Sequence, residues 1–249
     1  MRFLISFAAA FSALPMLAAG AAGGLAGLDW SIANTPETGL TDIVFPFTIE
    51  SALPEEGYYF AQSFKFMNPP PGSTGLSHVG LKPYHDIANS TYVLAVFSTS
   101  INGTESSDVL CYHPPHDGYC FTAVEINHTD PYNIHVYPGD GEQHWGCSVT
   151  NSRTGDRWHI GSLEMPEGTG GIEGSESGFV EYKPWSLEPS EDCESLTYTS
   201  VVFGAPKTKT VGAGNGTIGK GYEKGVCKGE VDFETETTEE GTRIALGFE

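Results

Sequence analysis

Two glutamates sit where a carboxyl group could do acid or base work: Glu125 in Thr122-Ala123-Val124-Glu125-Ile126 and Glu181 in Phe179-Val180-Glu181-Tyr182, both inside otherwise apolar segments. Hydrolysis of a glycosidic bond needs two carboxyl groups facing one cleft, about 5 to 10 Å apart, one protonated and one ionised. A carboxyl desolvated in an apolar strand titrates upward and suits the acid role. The competing reading is that strand alternation simply points each glutamate to solvent. A second constellation, His113-Pro114-Pro115-His116-Asp117, places two imidazoles and a carboxylate within a short span, donors that suit zinc or copper. Its prolines preclude regular helix and nothing forces the rings to converge, so the alternative is an exposed, proline-stiffened loop and no metal. No nucleophile elbow, phosphate-cradling glycine motif or zinc-protease helix is present, and no cofactor is expected. A third group is aromatic. Trp185, after Pro184, and Tyr182 could stack on the apolar faces of sugars, whereas Trp145 and Trp158 read as core.

These residues must be positioned by strands. Thirty-one glycines and 16 prolines punctuate apolar runs of five to ten residues, and no long stretch keeps helical spacing. Tyr58 to Met67 is the clearest strand: Phe60, Gln62, Phe64 and Phe66 alternate with Tyr59, Ala61, Ser63 and Lys65. Further strands are expected over 42–49, 92–99, 121–126, 132–137, 143–149, 158–163, 178–182, 198–203, 229–235 and 242–248. The predicted fold is all-β, an antiparallel β-sandwich of jelly-roll type, as one domain over 42–249 after a lead segment at 22–41. In the strand at 229–235, Glu230, Asp232, Glu234 and Glu236 share one side, which reads as a solvated outer face rather than a calcium site.

The chain opens on a basic Met1-Arg2, an apolar run from Phe3 to Leu17 and a small-residue Ala19-Gly20-Ala21 site, the pattern of an export signal over 1–21. Asn89, Asn102, Asn127 and Asn215 each begin an N-glycosylation acceptor triplet. The predicted location is extracellular. An oxidising route favours cysteine pairing. Cys111 with Cys120 closes a short proline-containing loop, Cys193 with Cys227 closes the C-terminal third, and Cys147 is left as a buried free thiol. With 32 Asp plus Glu against 12 Lys plus Arg, the formal charge of −20 argues against nucleic acid, anionic membranes and polyanionic substrates as partners.

Three segments, 74–83, Gly178-Phe179-Val180-Glu181-Tyr182-Lys183-Pro184-Trp185 and Tyr198-Thr199-Ser200-Val201-Val202-Phe203-Gly204-Ala205-Pro206, resemble those of an uncharacterised group of secreted fungal proteins related to a bacterial domain of unknown function. The resemblance implies a fungal, extracellular, β-rich protein acting on cell-wall carbohydrate, and it carries no active site. The leading expectation is a secreted glycoprotein that binds or acts on neutral extracellular polysaccharide or a host cell-surface component. Trp185 and Tyr182 would bind the sugar. The alternatives are a glycan hydrolase or lyase using Glu125 and Glu181, and a secreted effector without catalysis.

Overall fold

The computed structural model describes residues 23–53, 57–85, 91–112, 118–124, 127, 129–141, 143–183 and 193–249. The segment expected to be an export signal lies outside the described residues. Sixteen strands run in order as β1 (Gly23–Ile32), β2 (Ile43–Ser51), β3 (Tyr58–Lys65), β4 (Leu76–His85), β5 (Thr91–Thr99), β6 (Cys111–Tyr112), β7 (Gly118–Val124) and β8 (Pro131–Pro138). They continue as β9 (His144–Asn151), β10 (Arg157–Glu164), β11 (Ser175–Tyr182), β12 (Thr199–Phe203), β13 (Gly216–Ile218), β14 (Tyr222–Glu223), β15 (Phe233–Thr237) and β16 (Thr242–Leu246). A nine-stranded sheet is ordered β13-β1-β11-β3-β4-β5-β7-β6, with β14 also on β1, and a seven-stranded sheet is ordered β10-β9-β8-β2-β12-β16-β15. The two antiparallel sheets form a β-sandwich, as the alternating patterns predict.

Alternation explains the core. In β2, Ile43, Phe45, Phe47 and Ile49 are buried and the residues between them are less so. In β3, Tyr58, Phe60 and Phe64 face the same interior from the other sheet. Trp30 meets Phe45 edge-on at 5.3 Å and donates from Nε1 to the Ser63 carbonyl at 3.0 Å, so the indole satisfies its one polar group inside the sandwich. Trp145 packs on Phe66 at 4.9 Å, as its core assignment predicts. Each such ring contributes about 1.5 to 3 kcal/mol of burial free energy.

The cysteines pair as expected. Cys111 joins Cys120 across the β6–β7 ladder, Cys193 joins Cys227, and Cys147 is free and buried. Burial pushes the Cys147 thiol well above its ordinary range, which keeps it protonated and inert. Two disulfides fit an oxidising, extracellular compartment. The acidic side of 229–235 belongs to an edge: β15 ends the seven-stranded sheet with Glu234 and Glu236 exposed, where like charges stay hydrated and blunt edge pairing.

One expectation is corrected. The segment at 22–41 is no lead, because β1 lies inside the nine-stranded sheet between β11 and β13 and buries Leu28 and Trp30. Its glycines have steric reasons. A Cβ at Gly27 would lie 2.9 Å from the Tyr222 ring, and one at Gly24 would lie 2.9 Å from Cε of Lys224, so both side chains cross the strand only because it is bare there.

Candidate active site

The outer face of the nine-stranded sheet carries the side chains that alternate away from the core. Phe179, Ala61, Gly80, Val96 and Phe121 stand in one register row across β11, β3, β4, β5 and β7. Beside it runs Ser63, His78, Ser98, Tyr119 and Tyr112. On the other side Glu181 pairs with Tyr59, Lys82 pairs with Leu94, and Leu94 pairs with Ala123. Phe60 opposite Leu81 sets Tyr59 beside Lys82, so carboxylate, phenol and amine stand in sequence on β11, β3 and β4. Adjacent strands are about 4.8 Å apart, which lets these long side chains converge.

They border a cleft of about 280 Å³ lined by Tyr59, His78, Lys82, Leu94, Val96, Tyr119 and Lys183. Small residues make the room. A Cβ at Gly80 would lie 2.4 Å from the Phe60 carbonyl oxygen and 2.7 Å from the Tyr59 ring, so the ring packs against the bare glycine. Tyr59 is also wedged edge-on between His78 at 5.9 Å and Phe179 at 5.9 Å.

Burial shifts Tyr59, His78, Lys82 and Tyr119. Lys82 is only 7% exposed; burial, aided by the nearby Lys183 charge and opposed by Glu181, brings its amine down to about 8. Its Nζ donates to the Lys183 carbonyl at 2.5 Å, which holds the amine at the cleft. Burial and then Lys183 lower His78 to about 4, so the imidazole is neutral over the ordinary pH range. Burial raises Tyr59 well above the usual phenol, and its hydroxyl has no hydrogen-bond partner among the described residues. A protonated phenol with an unused proton is a donor awaiting an acceptor.

His78 gives an expected outcome in solution. Its folded pKa of about 4 lies below the unfolded value near 6.5, so the unfolded chain binds more protons in between and stability falls as pH drops through that window. The loss is about 2 kcal/mol once the part of the ring that still meets solvent is allowed for. Urea midpoints at pH 7 and pH 4 should therefore differ less in His78→Gln than in the wild-type protein; equal differences in both would show that His78 does not carry the effect.

Of the two glutamates singled out in the sequence, one is among the described residues. Glu181 stands on the outer face, half-buried, beside Tyr59. Its expected partner Glu125 lies outside the described residues, as do His113, His116, Asp117, Trp185 and Asn89. Asn102, Asn127 and Asn215 are exposed. Among the described residues no group of three His, Cys, Asp or Glu is placed to hold a metal ion. Tyr182 requires a correction: it is 2% exposed and packs edge-on against Tyr58 at 5.3 Å inside the sandwich, so it offers no stacking face. It shares strand parity with buried Val180, not with Glu181. Tyr59, His78 and Lys82 escape the sequence reading because they meet only through the pairing of β3 with β4. The usable signal is their off-core position, opposite Tyr58, Phe60 and Phe64 in β3 and opposite Val79 and Leu81 in β4. Two larger depressions, of about 540 and 470 Å³, lie along the acidic edge of β15 and β16 and over the other sheet. Neither gathers a shifted amine, imidazole and phenol around one apolar floor.

Fold and site together define an antiparallel two-sheet sandwich with a titratable cleft on the outer face of its larger sheet. No protein-family model matches the chain, and no curated protein sequence matches it. Solved structures similar to it include two crystal structures of scytalido-glutamic peptidase, one with a peptide-based transition state analog and one with a transition state analog inhibitor. Their TM-scores are 0.48 and 0.47, each at 10% identity over 91% of this chain and 98% of that one. The expectation of a polysaccharide-binding protein is corrected at the site itself: its expected sugar platform at Tyr182 is core.

Proposed function

We propose that this protein is an extracellular hydrolase that cleaves an ester or amide carbonyl in the cleft of the nine-stranded sheet. The observation that supports it is the row of Glu181, Tyr59 and Lys82 on neighbouring strands, the last two lining the cavity, with the lysine amine brought down to about 8. Perturbed titratable groups converging on an apolar pocket are the usual mark of a reaction site. The Glu181 carboxylate takes a proton from a water molecule as that water attacks the carbonyl carbon. The carbonyl π bond opens, and its electron pair becomes an oxyanion held by the Lys82 ammonium, with the Tyr59 hydroxyl as second donor. Collapse of the tetrahedral intermediate re-forms the carbonyl and breaks the bond to the alcohol or amine. Glu181 returns its proton to that leaving group, so carboxylate and ammonium end the cycle as they began it.

The apolar lining of Leu94 and Val96 would seat the acyl chain and exclude bulk water, strengthening each electrostatic contact. The export signal read from the sequence and the two disulfides support an extracellular setting. The mature protein, screened against chromogenic esters of graded chain length and against a peptide mixture read by mass spectrometry, should cleave members of one of the two classes. Absence of cleavage in both across pH 4 to 9 would refute the proposal.

A further inference from the structure

Glu181 lies at the meeting point of three lysines. Lys183 follows it two residues on, on the same side of the strand direction. Lys224 arrives from the far side, its stem crossing Gly24, which is the register partner of Glu181, and its Nζ resting 5.1 Å from the centre of the Phe179 ring. Lys82 is the third, on the opposite flank beyond Tyr59. Lys82 and Lys224 both feel the Glu181 charge, and Lys82 and His78 both feel that of Lys183. The whole chain has only 12 Lys plus Arg against 32 Asp plus Glu. Three lysines on this flank of the sheet therefore concentrate cationic groups in a chain that is acidic as a whole.

We propose that the cleft selects acyl compounds that carry a carboxylate of their own, bound by Lys183 and Lys224 beside the Glu181 reaction centre. The inference rests on the hydrolase reading for the same site and adds its substrate class. Net charge does not oppose it at this range. Screening confines each charge to about 8 Å at physiological salt, so a small anion in the cleft meets the lysines while the remote carboxylates are damped. A long polyanion would extend past the lysines and be repelled. Resting on the Phe179 face, the Lys224 ammonium is held in place before the anion arrives, which lowers the ordering cost of binding.

The test pairs two esters that differ in one charge, 4-nitrophenyl hemisuccinate and 4-nitrophenyl butyrate, with a direct titration of glutarate against glutaramide by calorimetry. The wild-type protein should prefer the succinyl ester by about tenfold in kcat/KM and bind glutarate over glutaramide, an effect of the size that partly buried charge pairs produce. In the Lys183→Gln, Lys224→Gln double variant, checked for folding by circular dichroism, both preferences should fall to about twofold or less. Glutarate binding that depends on the two lysines, with neither ester cleaved, would uphold the anion site and sink the hydrolase reading. Cleavage of both esters at equal efficiency with no preference for glutarate would overturn the inference and leave the hydrolase standing; no cleavage and no preference would overturn both.

Discussion

Glu181→Gln is expected to leave the protein folded and to lower kcat/KM for its ester or amide substrate by about 10² to 10⁴-fold, the contribution of a positioned general base. The change keeps the shape of the side chain and removes only its ability to take a proton. Glu181 is half-buried at the outer face and is not part of the hydrophobic core, so the fold has little stake in its charge. A structural role would instead show as a lowered urea midpoint with activity retained in the folded fraction. The split between the two outcomes is read by measuring kcat/KM and the unfolding midpoint on the same preparation. Activity within about threefold of wild type would remove Glu181 from the chemistry.

Gly80→Val is expected to be the most damaging single change at the cleft. An added Cβ would sit 2.4 Å from the Phe60 carbonyl oxygen, 2.7 Å from Cβ of Ala61 and 2.7 Å from the Tyr59 ring. The ring could swing away, but the carbonyl belongs to the ladder between β3 and β4 and cannot move without breaking it. Overpacking of this kind costs about 3 kcal/mol, or roughly 6 to 12 °C in Tm for a chain of this size. Displacement of Tyr59 should also weaken catalysis in whatever fraction folds. A thermal scan showing Gly80→Val within about 2 °C of wild type would mean the β3–β4 pairing is looser than described.

The same glycine explains why part of the fold was hidden in the sequence. β3 announces itself because Tyr58, Phe60 and Phe64 fall on one side of the strand while Ala61, Ser63 and Lys65 fall on the other. β4 does not, since Gly80 and Pro83 read as breakers; yet Gly80 is bare to seat the Tyr59 ring. β1 is equally hidden, since Gly23, Gly24 and Gly27 interrupt its apolar pattern. Two of these are smooth places for Lys224 and Tyr222 to cross, information that sits two hundred residues away in sequence. The residues that line the cleft are hidden for the same reason. An acid among apolar neighbours draws notice to Glu181 locally, as a candidate only. The lysine, imidazole and phenol around it gain meaning only from strand order, because β11 and β3 are sequence-distant neighbours. Tyr182 was misplaced by one step of the pleat, which is enough to move a ring from the solvent face into the core.

The central claim is that Lys82 acts as an ammonium against charge developing at a carbonyl oxygen, and the pH dependence of kcat/KM tests it most directly. With its amine brought down to about 8, Lys82 is protonated below that value and loses its charge above it, so the wild-type rate should fall as pH rises through about 8. Lys82→Arg keeps a charge that cannot be lost in this range, so its rate, lower from poorer fit, should stay level to about pH 10. A wild-type profile that runs flat or climbs through pH 8, or a descending limb that is identical in Lys82→Arg, would contradict the account.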